Sequence, residues 1–524
     1  MALLLWATAA SGEAFRQGLW RGEDPRVTFH KGSYYHIENP TGPPGRRLIY
    51  RSKSLIDRGL PRDLPEGFPL FAPVFIDTLN GVRVGKWYAF DTAVWECTGD
   101  PYESAPGGWK KIKQIPFRHW SIDHFVFRAD SGPHKGQWFM VWAGQEREDD
   151  PSTSNNERLE WWFESIYIAR LTSLNPGEDT LANCNSDAAN RIVTYRLHTS
   201  RPMKYPVPRE AAGAWKDVVA EAPCVVQRQG TISLIYSGDG AQTSHYAMGI
   251  AFCKDGDVLK PASWVDNNQE IVAGPEFCWD FDRGVFGPGV ARVIPSPDGR
   301  EDWMYYHAKV WNTWNRADPA KEEEQQTKEM WTRYVCLKKI EWKAVTYQGQ
   351  RYTIPELGRP DAPGTAIPLP SGDPGVGMPK EWRIEAERMI PFGDVMGDSI
   401  QQINGGTSVL KIESAGASGG AYMGWFEALA KDAPDGKSGA LYRNTPSGSR
   451  LVVRAASPLE KPNVDLYVNG RFLRSLPLAS TGSWVDFKNN EFDCAIPHGA
   501  EVRLVYECGK STAANLDCIV IGRP

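Results

Sequence analysis

Three carboxylic acids stand in comparable places along the first half of the chain. Asp24, Asp123 and Glu221 each lie shortly before a glycine turn that opens a strand-like run. Three acids around one pocket suit glycoside hydrolysis: one carboxylate activates water, and one protonated acid donates to the leaving oxygen. The third can aim that acid and raise its pKa by like-charge repulsion. The alternative is structural, since Asp before Pro is a common turn former and Glu221 could cap a turn.

No other reactive constellation competes with these acids. The sequence has no Ser-His-Asp motif, no Gly-rich phosphate loop and no His-x-x-His set, so we expect no organic cofactor. Its 9 cysteines form no CxxC pair and no Cys/His metal spacing. Scattered buried thiols are the expectation, with a few disulfides as the alternative.

A loose repeat indicates how remote acids could meet. Five short runs combine a glycine turn with aromatic and β-branched residues, and they begin at Gly32, Gly85, Gly136, Gly230 and Gly299. The elements before them are Asp24-Pro25, Ala72-Pro73, Ile122-Asp123, Glu221-Ala222-Pro223 and Gly287-Pro288-Gly289. Five such units predict a five-bladed β-propeller, whose innermost strands converge on one axis. The acids would then share one pore mouth.

The rest of the chain predicts a second β-domain. We divide the sequence into an N-terminal segment (1–20), a propeller (21–350), a Pro/Gly-rich linker or strapped segment (351–380) and a β-sandwich of jelly-roll type (381–524). In the last part, apolar and polar residues alternate at period two between turn signals. The fold class is therefore all-β. Residues 146–162 and 318–328 are expected to be long loop insertions.

The composition of the chain argues against several classes of binding partner. The formal net charge of −5 argues against nucleic acid or an anionic membrane surface. The sequence contains no run of 18 apolar residues, so it predicts no membrane-spanning helix. The apolar start, Met1 to Ala10, ends in small residues as a secretion signal does, although it lacks a basic region. We expect a secreted monomer.

The propeller half resembles glycoside hydrolase family 43, five-bladed enzymes that cleave arabinose- or xylose-containing glycans with inversion. The similarity runs from about residue 20 to 345. It rests on the stretches around the three acids and on Tyr236-Ser237, Phe286-Gly287-Pro288-Gly289, Ser296-Pro297-Asp298-Gly299, Tyr306-His307-Ala308 and Arg333 before Trp342. The resemblance implies that Asp24 is the general base, Asp123 the pKa modulator and orienter, and Glu221 the general acid. It also places Arg333 near the sugar hydroxyls.

One departure from the family pattern concerns the axis. The family usually has Gly-Pro-Gly-His, and that histidine helps to hold an ion, whereas Val290 follows Gly289 here. An apolar side chain cannot ligate a metal, so Val290 argues against a metal ion on the propeller axis. His307 is a candidate for a substitute role near the substrate, and a structural hydrogen bond between strands is the alternative.

The C-terminal part resembles a family 6 or family 35 carbohydrate-binding module. In such modules two glutamates and an aspartate hold a structural Ca²⁺, which corresponds here to Glu385, Glu387 and Asp517. Alternating solvent-facing glutamates are the alternative. Candidates for sugar contact are Tyr422, Trp425, Trp484 and Asn515. Aromatic faces can stack on sugars, but tryptophan is equally at home in a sandwich core.

These observations predict an extracellular, inverting glycosidase that acts on arabinan or arabinoxylan of the plant cell wall. The favoured activity is that of an exo-acting α-L-arabinofuranosidase. A β-xylosidase or an endo-arabinanase on the same scaffold is one alternative. A lectin-like protein that binds glycans without turnover is another.

Overall fold

The computed structural model describes a chain built almost entirely from strands. The described residues are 14–39, 47–69, 71–117, 120–145, 164–193, 219–238, 241, 246–266, 275–309, 333–377, 381–386, 389–392, 412–413, 417–418, 421–424, 426–433 and 435–522. The all-β class predicted from the sequence is confirmed. Within this part of the chain, no helix is long and apolar enough to span a membrane.

Five antiparallel sheets follow one another and form the blades of a propeller. Two short strands come before the first blade: β1 (Ala14–Arg16) and β2 (Trp20–Arg21). Blade I holds β3 (Glu23–His30), β4 (Ser33–Asn39), β5 (Leu48–Ser52) and β6 (Pro61–Asp63). Blade II holds β7 (Val74–Leu79), β8 (Val82–Phe90), β9 (Ala93–Cys97) and β10 (Trp109–Gln114). Blade III holds β11 (Ser121–Arg128), β12 (Trp138–Gln145), β13 (Glu164–Arg170) and β14 (Arg191–Val193).

The last two blades complete the ring. Blade IV holds β15 (Ala220–Arg228), β16 (Thr231–Gly238), β17 (Ala247–Cys253) and β18 (Trp264–Asp266). Blade V holds β19 (Phe286–Pro295), β20 (Asp302–Lys309) and β21 (Arg333–Tyr347), and its fourth strand is β2. Trp20 of β2 pairs with Val335 of β21, so the two ends of the propeller sequence share one sheet. Such closure leaves no open edge between the first blade and the last.

Four of the innermost strands have a β-bulge near their start. The pairing register shifts after Glu23, Ile122, Glu221 and Phe286 in β3, β11, β15 and β19. A left-handed backbone accompanies each shift, with φ of 44° at Asp24, 58° at Asp123, 51° at Ala222 and 59° at Val290. A bulge re-aims the side chains beside it, and a left-handed non-glycine residue is strained.

One detail of the predicted repeat is wrong. Gly85 does not form the turn of blade II, because it lies inside β8. The turn before that strand is Asn80-Gly81, where both residues have positive φ as a tight hairpin requires.

The Pro/Gly-rich segment is strapped to the propeller. Its start forms β22 (Gln350–Glu356), which pairs with β21, and its middle forms β23 (Ala366–Pro368), which pairs with β1. Buried Asp373 accepts hydrogen bonds from Ser54 Oγ and from the Leu55 N–H, both at 2.6 Å. The sequence left open a linker or a strapped segment, and these contacts are those of a strapped segment.

The C-terminal part is a sandwich of two antiparallel sheets. In spatial order, one sheet holds β24 (Glu381–Glu385), β34 (Asn515–Gly522), β29 (Gly448–Ala456) and β32 (Lys488–Ile496). The other holds β25 (Ile390–Phe392), β28 (Lys437–Thr445), β33 (Ala500–Glu507), β30 (Asn463–Val468) and β31 (Arg471–Pro477). A small hairpin of β26 (Ile412–Glu413) and β27 (Ala421–Tyr422) and the helix α1 (Phe426–Asp432) accompany them.

Hydrogen bonds tie the sandwich to the segment that precedes the first blade. The Arg16 N–H donates to Asn444 Oδ1 at 2.6 Å, and Asn444 Nδ2 donates to the Arg16 carbonyl at 3.0 Å. Arg443, which pairs with Glu501 at 2.7 Å, donates to the Gly18 carbonyl. The two domains therefore share a polar, partly buried junction.

All nine cysteines carry free thiols, and seven of them are buried. The expectation of scattered buried thiols is confirmed.

Candidate active site

Asp24 lies at the bulge of β3 and is held by two cationic or hydrogen-bonding partners. His307 Nδ1 is 3.1 Å and Arg333 Nη1 is 3.2 Å from Asp24 Oδ1. Burial opposes ionisation of Asp24, but the His307 hydrogen bond and the nearby guanidinium charges outweigh it and hold its pKa well below the usual range. Asp24 is therefore a carboxylate throughout the ordinary pH range.

Asp123 lies at the bulge of β11 and is 5% exposed. Arg26 Nη2 donates to its Oδ1 at 2.5 Å. The N–H of Ala222 donates to its Oδ2 at 2.9 Å. Because Ala222 directly follows Glu221, Asp123 fixes the backbone that carries the third acid.

Glu221 lies at the bulge of β15 in an environment that favours its protonated form. Burial and then the negative charge of Asp123 raise the pKa of Glu221 to about 7. The Tyr246 hydroxyl donates to Glu221 Oε1 at 2.5 Å and works in the opposite direction, because it stabilises the charged form. Two acids at one site thus differ widely in protonation, as an acid and a base require.

Glu164 is a fourth carboxyl at this site that the sequence reasoning missed. It is 3% exposed, and its carboxyl lies close enough to Glu221 and Asp123 for their charges to act on it. Burial, followed by the charges of Glu221 and Asp123, raises the pKa of Glu164 well above its usual value. Glu164 begins β13, the third strand of its blade, so no pre-strand signal of the kind that marked the other acids could have found it.

Tyr246 is a second residue without a sequence signal. Its ring is fully buried and stacks on His307, with ring centres 5.8 Å apart and planes inclined by 13°. It also packs with Ala222 and Val290 in a small apolar cluster. The ring therefore spans the distance between the partner of Asp24 and the acid Glu221.

His307 and Arg333 both contact the carboxylate of Asp24. The His307 side chain is fully buried, and burial lowers its pKa to about 3, so it is neutral at physiological pH. Arg333 is 2% exposed and also donates to the Ala241 carbonyl at 2.8 Å. Both residues were predicted near the substrate. Their contacts in the structure are with the carboxylate that would activate water.

Val290 is 3% exposed, and its N–H donates to Ser237 Oγ at 2.9 Å. It presents no oxygen or nitrogen side-chain ligand to the axis. Among the described residues, no group of three or more His, Cys, Asp or Glu side chains is arranged to hold a metal ion.

In the sandwich, two of the three predicted Ca²⁺ ligands come together. Ser418 Oγ lies 2.7 Å from Glu385 Oε2 and 2.9 Å from Asp517 Oδ2. Arg454 contacts Asp517, and Arg383 Nε is 2.8 Å from Glu385 Oε1. Glu387 lies outside the described residues. Two carboxylates that meet at one hydroxyl fit part of the oxygen donor set that Ca²⁺ prefers.

The predicted sugar contacts of the sandwich differ in exposure. Trp484 is 42% exposed, and its carbonyl accepts a hydrogen bond from Asn515 Nδ2 at 2.7 Å. Tyr422 is 6% exposed and packs on Phe487, with ring centres 5.3 Å apart. Trp425 lies outside the described residues, as do the predicted insertions 146–162 and 318–328.

The propeller part of the chain is similar to known proteins. The family model described as glycosyl hydrolases family 43 matches residues 20–345. A curated extracellular exo-α-(1→5)-L-arabinofuranosidase of Streptomyces avermitilis is 25% identical over 348 residues, which cover 61% of this chain and 60% of that protein. The α-L-arabinofuranosidase 43 of Humicola insolens is 30% identical over 372 residues, 67% of this chain and 62% of that protein.

The matched part of the chain thus spans about three fifths of the length of these two relatives. Among solved structures, an α-L-arabinofuranosidase from Lactobacillus brevis aligns with a TM-score of 0.45 at 21% identity, over 67% of this chain and 98% of that one.

Proposed function

Because this chain belongs to glycosyl hydrolases family 43, we propose that it is an inverting, exo-acting α-L-arabinofuranosidase. Its substrates would be arabinan- or arabinoxylan-type polysaccharides of the plant cell wall. The activity in the names of the Streptomyces and Humicola relatives supports this choice of sugar.

The contrast between Asp24 and Glu221 carries the proposal. Asp24 is held as an anion by His307 and Arg333, whereas burial and Asp123 keep Glu221 largely protonated up to about neutral pH. A permanent carboxylate and a retained proton at one site are what an inverting glycosidase needs. Strongly perturbed pKa values of neighbouring acids are a feature of functional sites.

The reaction follows from these two protonation states. Glu221 donates its proton to the glycosidic oxygen as the bond to the anomeric carbon breaks. Asp24 removes a proton from a water molecule that attacks the opposite face of the sugar. Asp123 keeps Glu221 aimed through the Ala222 N–H and raises its pKa through its own charge.

A panel of aryl glycosides tests the proposal. Wild-type protein is expected to release the aglycone from aryl α-L-arabinofuranosides and L-arabinose from arabinan, while Asp24→Ala does neither. Release from aryl β-D-xylosides instead would select the β-xylosidase alternative, and internal cleavage of linear arabinan would select the endo-arabinanase. Turnover of none of them by wild type would leave only a glycan-binding protein and would overturn the proposal. Proton NMR of the first-formed anomer checks inversion.

The sandwich has a separate proposed role, which is to bind polysaccharide and keep the propeller near its substrate. The exposed ring of Trp484 is the candidate stacking surface. Pull-down on insoluble arabinoxylan should retain wild type and lose Trp484→Ala, with Phe472→Ala, which removes another exposed aromatic ring, as control. Equal retention of both variants would contradict it.

We further propose that Glu385 and Asp517, with Glu387, hold a structural Ca²⁺ when it is present. The ion would brace the two ends of the domain, because β24 and β34 are adjacent strands. Thermal unfolding with added CaCl₂ and with EDTA is the test. A melting temperature that is the same in both would contradict the proposal.

Secretion and a monomeric state complete the proposal. The word "extracellular" in the name of the Streptomyces avermitilis relative supports secretion. Activity in the culture medium of the native cells and light scattering after size-exclusion chromatography would test the two points.

A further inference from the structure

A cavity of about 350 Å³ lies on the propeller axis behind the three acids. Its walls come from the innermost strands of blades I, II, III and V, for example Val27, Val74, Phe125 and Ile294. Val27 and Phe125 follow the bulges that carry Asp24 and Asp123, so this part of the wall lies further along the innermost strands than the acids do. Most of the residues that line the cavity are apolar, and only a few polar or charged side chains interrupt them.

The exceptions are cationic or hydrogen-bond-donating groups. Arg292 and His124 line the cavity, and they are 2% and 4% exposed. The guanidinium of Arg26, which is 3% exposed, lies 5.2 Å from the centre of the Phe71 ring. Phe71 is itself part of the wall and is 5.3 Å from His124, so Arg26 belongs to the same end of the cavity.

In the described part of the chain, Arg26 has buried donors that no protein acceptor takes up. Within the part of the chain that the structure describes, Arg26 Nε, Arg26 Nη1 and His124 Nδ1 are buried and have no hydrogen-bond partner. The hydrogen bonds of Arg292 in the same part go from Nη1 to the carbonyls of Pro223 and Ala291, and it contacts no carboxylate. Buried donors are ordinarily satisfied, and buried charges are ordinarily paired.

The charges along the axis do not balance by contact. Arg26 contacts Asp123, and Arg333 contacts Asp24, which leaves Arg292 as a third guanidinium. Burial and then the neighbouring Arg26 lower the pKa of Arg292 to about 10, so it still carries its charge at neutral pH. Burial lowers the pKa of His124 to about 3, which makes it a neutral polar group. Arg292 is therefore a buried, charged guanidinium that no carboxylate in the described part of the chain contacts.

We propose that this cavity binds a small monovalent anion of halide type between Arg26 and Arg292. A monovalent anion would pair with the charge of Arg292, and the unpartnered N–H groups of Arg26 would supply donors for it. The largely apolar wall suits a weakly hydrated halide better than a multiply charged phosphate or sulfate, which would need more cations and more donors.

The site would also communicate with the catalytic acids. Arg26 donates from Nη2 to Asp123, and its Nε and Nη1 have no protein partner among the described residues. An anion beside Arg26 would offset part of the positive charge that Asp123 feels, without touching the substrate.

Bromide is the probe, because it can be located by its anomalous scattering. Crystals of the full chain grown in sodium bromide should show an anomalous peak in contact with the guanidinium groups of Arg26 and Arg292. Absence of a peak in this cavity at high bromide would overturn the proposal.

Thermal unfolding provides a second, independent measurement. At fixed ionic strength, replacing gluconate by bromide should raise the melting temperature of wild type, because a ligand that binds only the folded state stabilises it. Arg292→Met should lose this dependence, whereas Arg228→Met, which removes a half-exposed arginine paired with Asp302, should keep it. An equal bromide response in Arg292→Met and wild type would sink the idea. If Arg292→Met does not fold, Arg292→Gln serves in its place, and the crystals decide alone if neither folds.

Discussion

The Oδ2 atom of Asp123 accepts the N–H of Ala222 at 2.9 Å, and Ala222 directly follows Glu221. One carboxylate thus fixes the backbone of the acid in the next blade and, by its charge, raises that acid's pKa. Position and protonation of Glu221 are therefore controlled by the same side chain, which the contact with Arg26 in turn holds in place.

Asp123→Asn should shift the alkaline limb of activity to lower pH. The amide removes the like charge that raises the pKa of Glu221, so Glu221 loses its proton earlier as the pH rises. We expect kcat/KM against pH to fall with a midpoint about one unit or more below that of wild type, which lies near 7. The exposed Asp77→Asn is the matched control and should leave the midpoint unchanged. An unshifted limb in Asp123→Asn would refute the modulator role.

Tyr246→Phe should move the same limb in the opposite direction. The Tyr246 hydroxyl donates to Glu221 and lowers the pKa of that carboxyl, so its removal lets the pKa rise. A hydrogen bond to a charged group contributes about 1.5–3 kcal/mol, which corresponds to a shift of about one unit or more. Activity should therefore persist to higher pH. A downward shift would show that the hydroxyl accepts from a protonated Glu221 instead.

Glu221→Gln should reduce turnover according to the leaving group. The amide cannot donate a proton, so we expect kcat to fall by about 10²–10⁴ on natural arabinan. Aryl arabinofuranosides with acidic phenols need little protonation and should lose far less. The comparison of the two substrates in one variant is the measurement, and equal losses on both would argue that Glu221 is not the acid.

Glu164→Gln should change how stability depends on pH. The folded state raises the pKa of Glu164, so its contribution is fully present below the unfolded value and is lost as the pH rises towards the folded value. The loss for one such group is at most about 1.4 kcal/mol per pH unit. The amide does not titrate, so the variant should gain stability relative to wild type between pH 5 and pH 8. Denaturant unfolding at the two pH values checks this, and parallel curves would count against a protonated Glu164.

The sequence alone determined the strands, the blade count and the three principal acids. Glycine turns followed by aromatic and β-branched runs are local signals, and a carboxylate shortly before a glycine turn is visible without coordinates. The same local reading predicted Asp24, Asp123 and Glu221 as one group, and the structure brings them to one end of one axis through the bulges in β3, β11 and β15.

Only the tertiary structure decided what surrounds those acids. Glu164 lies near Glu221 on the third strand of its blade, and Tyr246 donates to Glu221 from a stretch of sequence that carries no motif. His307 contacts Asp24. The buried Arg26 of blade I likewise acts electrostatically on Arg292 of blade V. Protonation and charge balance depend on burial and on neighbours that are remote along the chain, and a linear pattern contains neither.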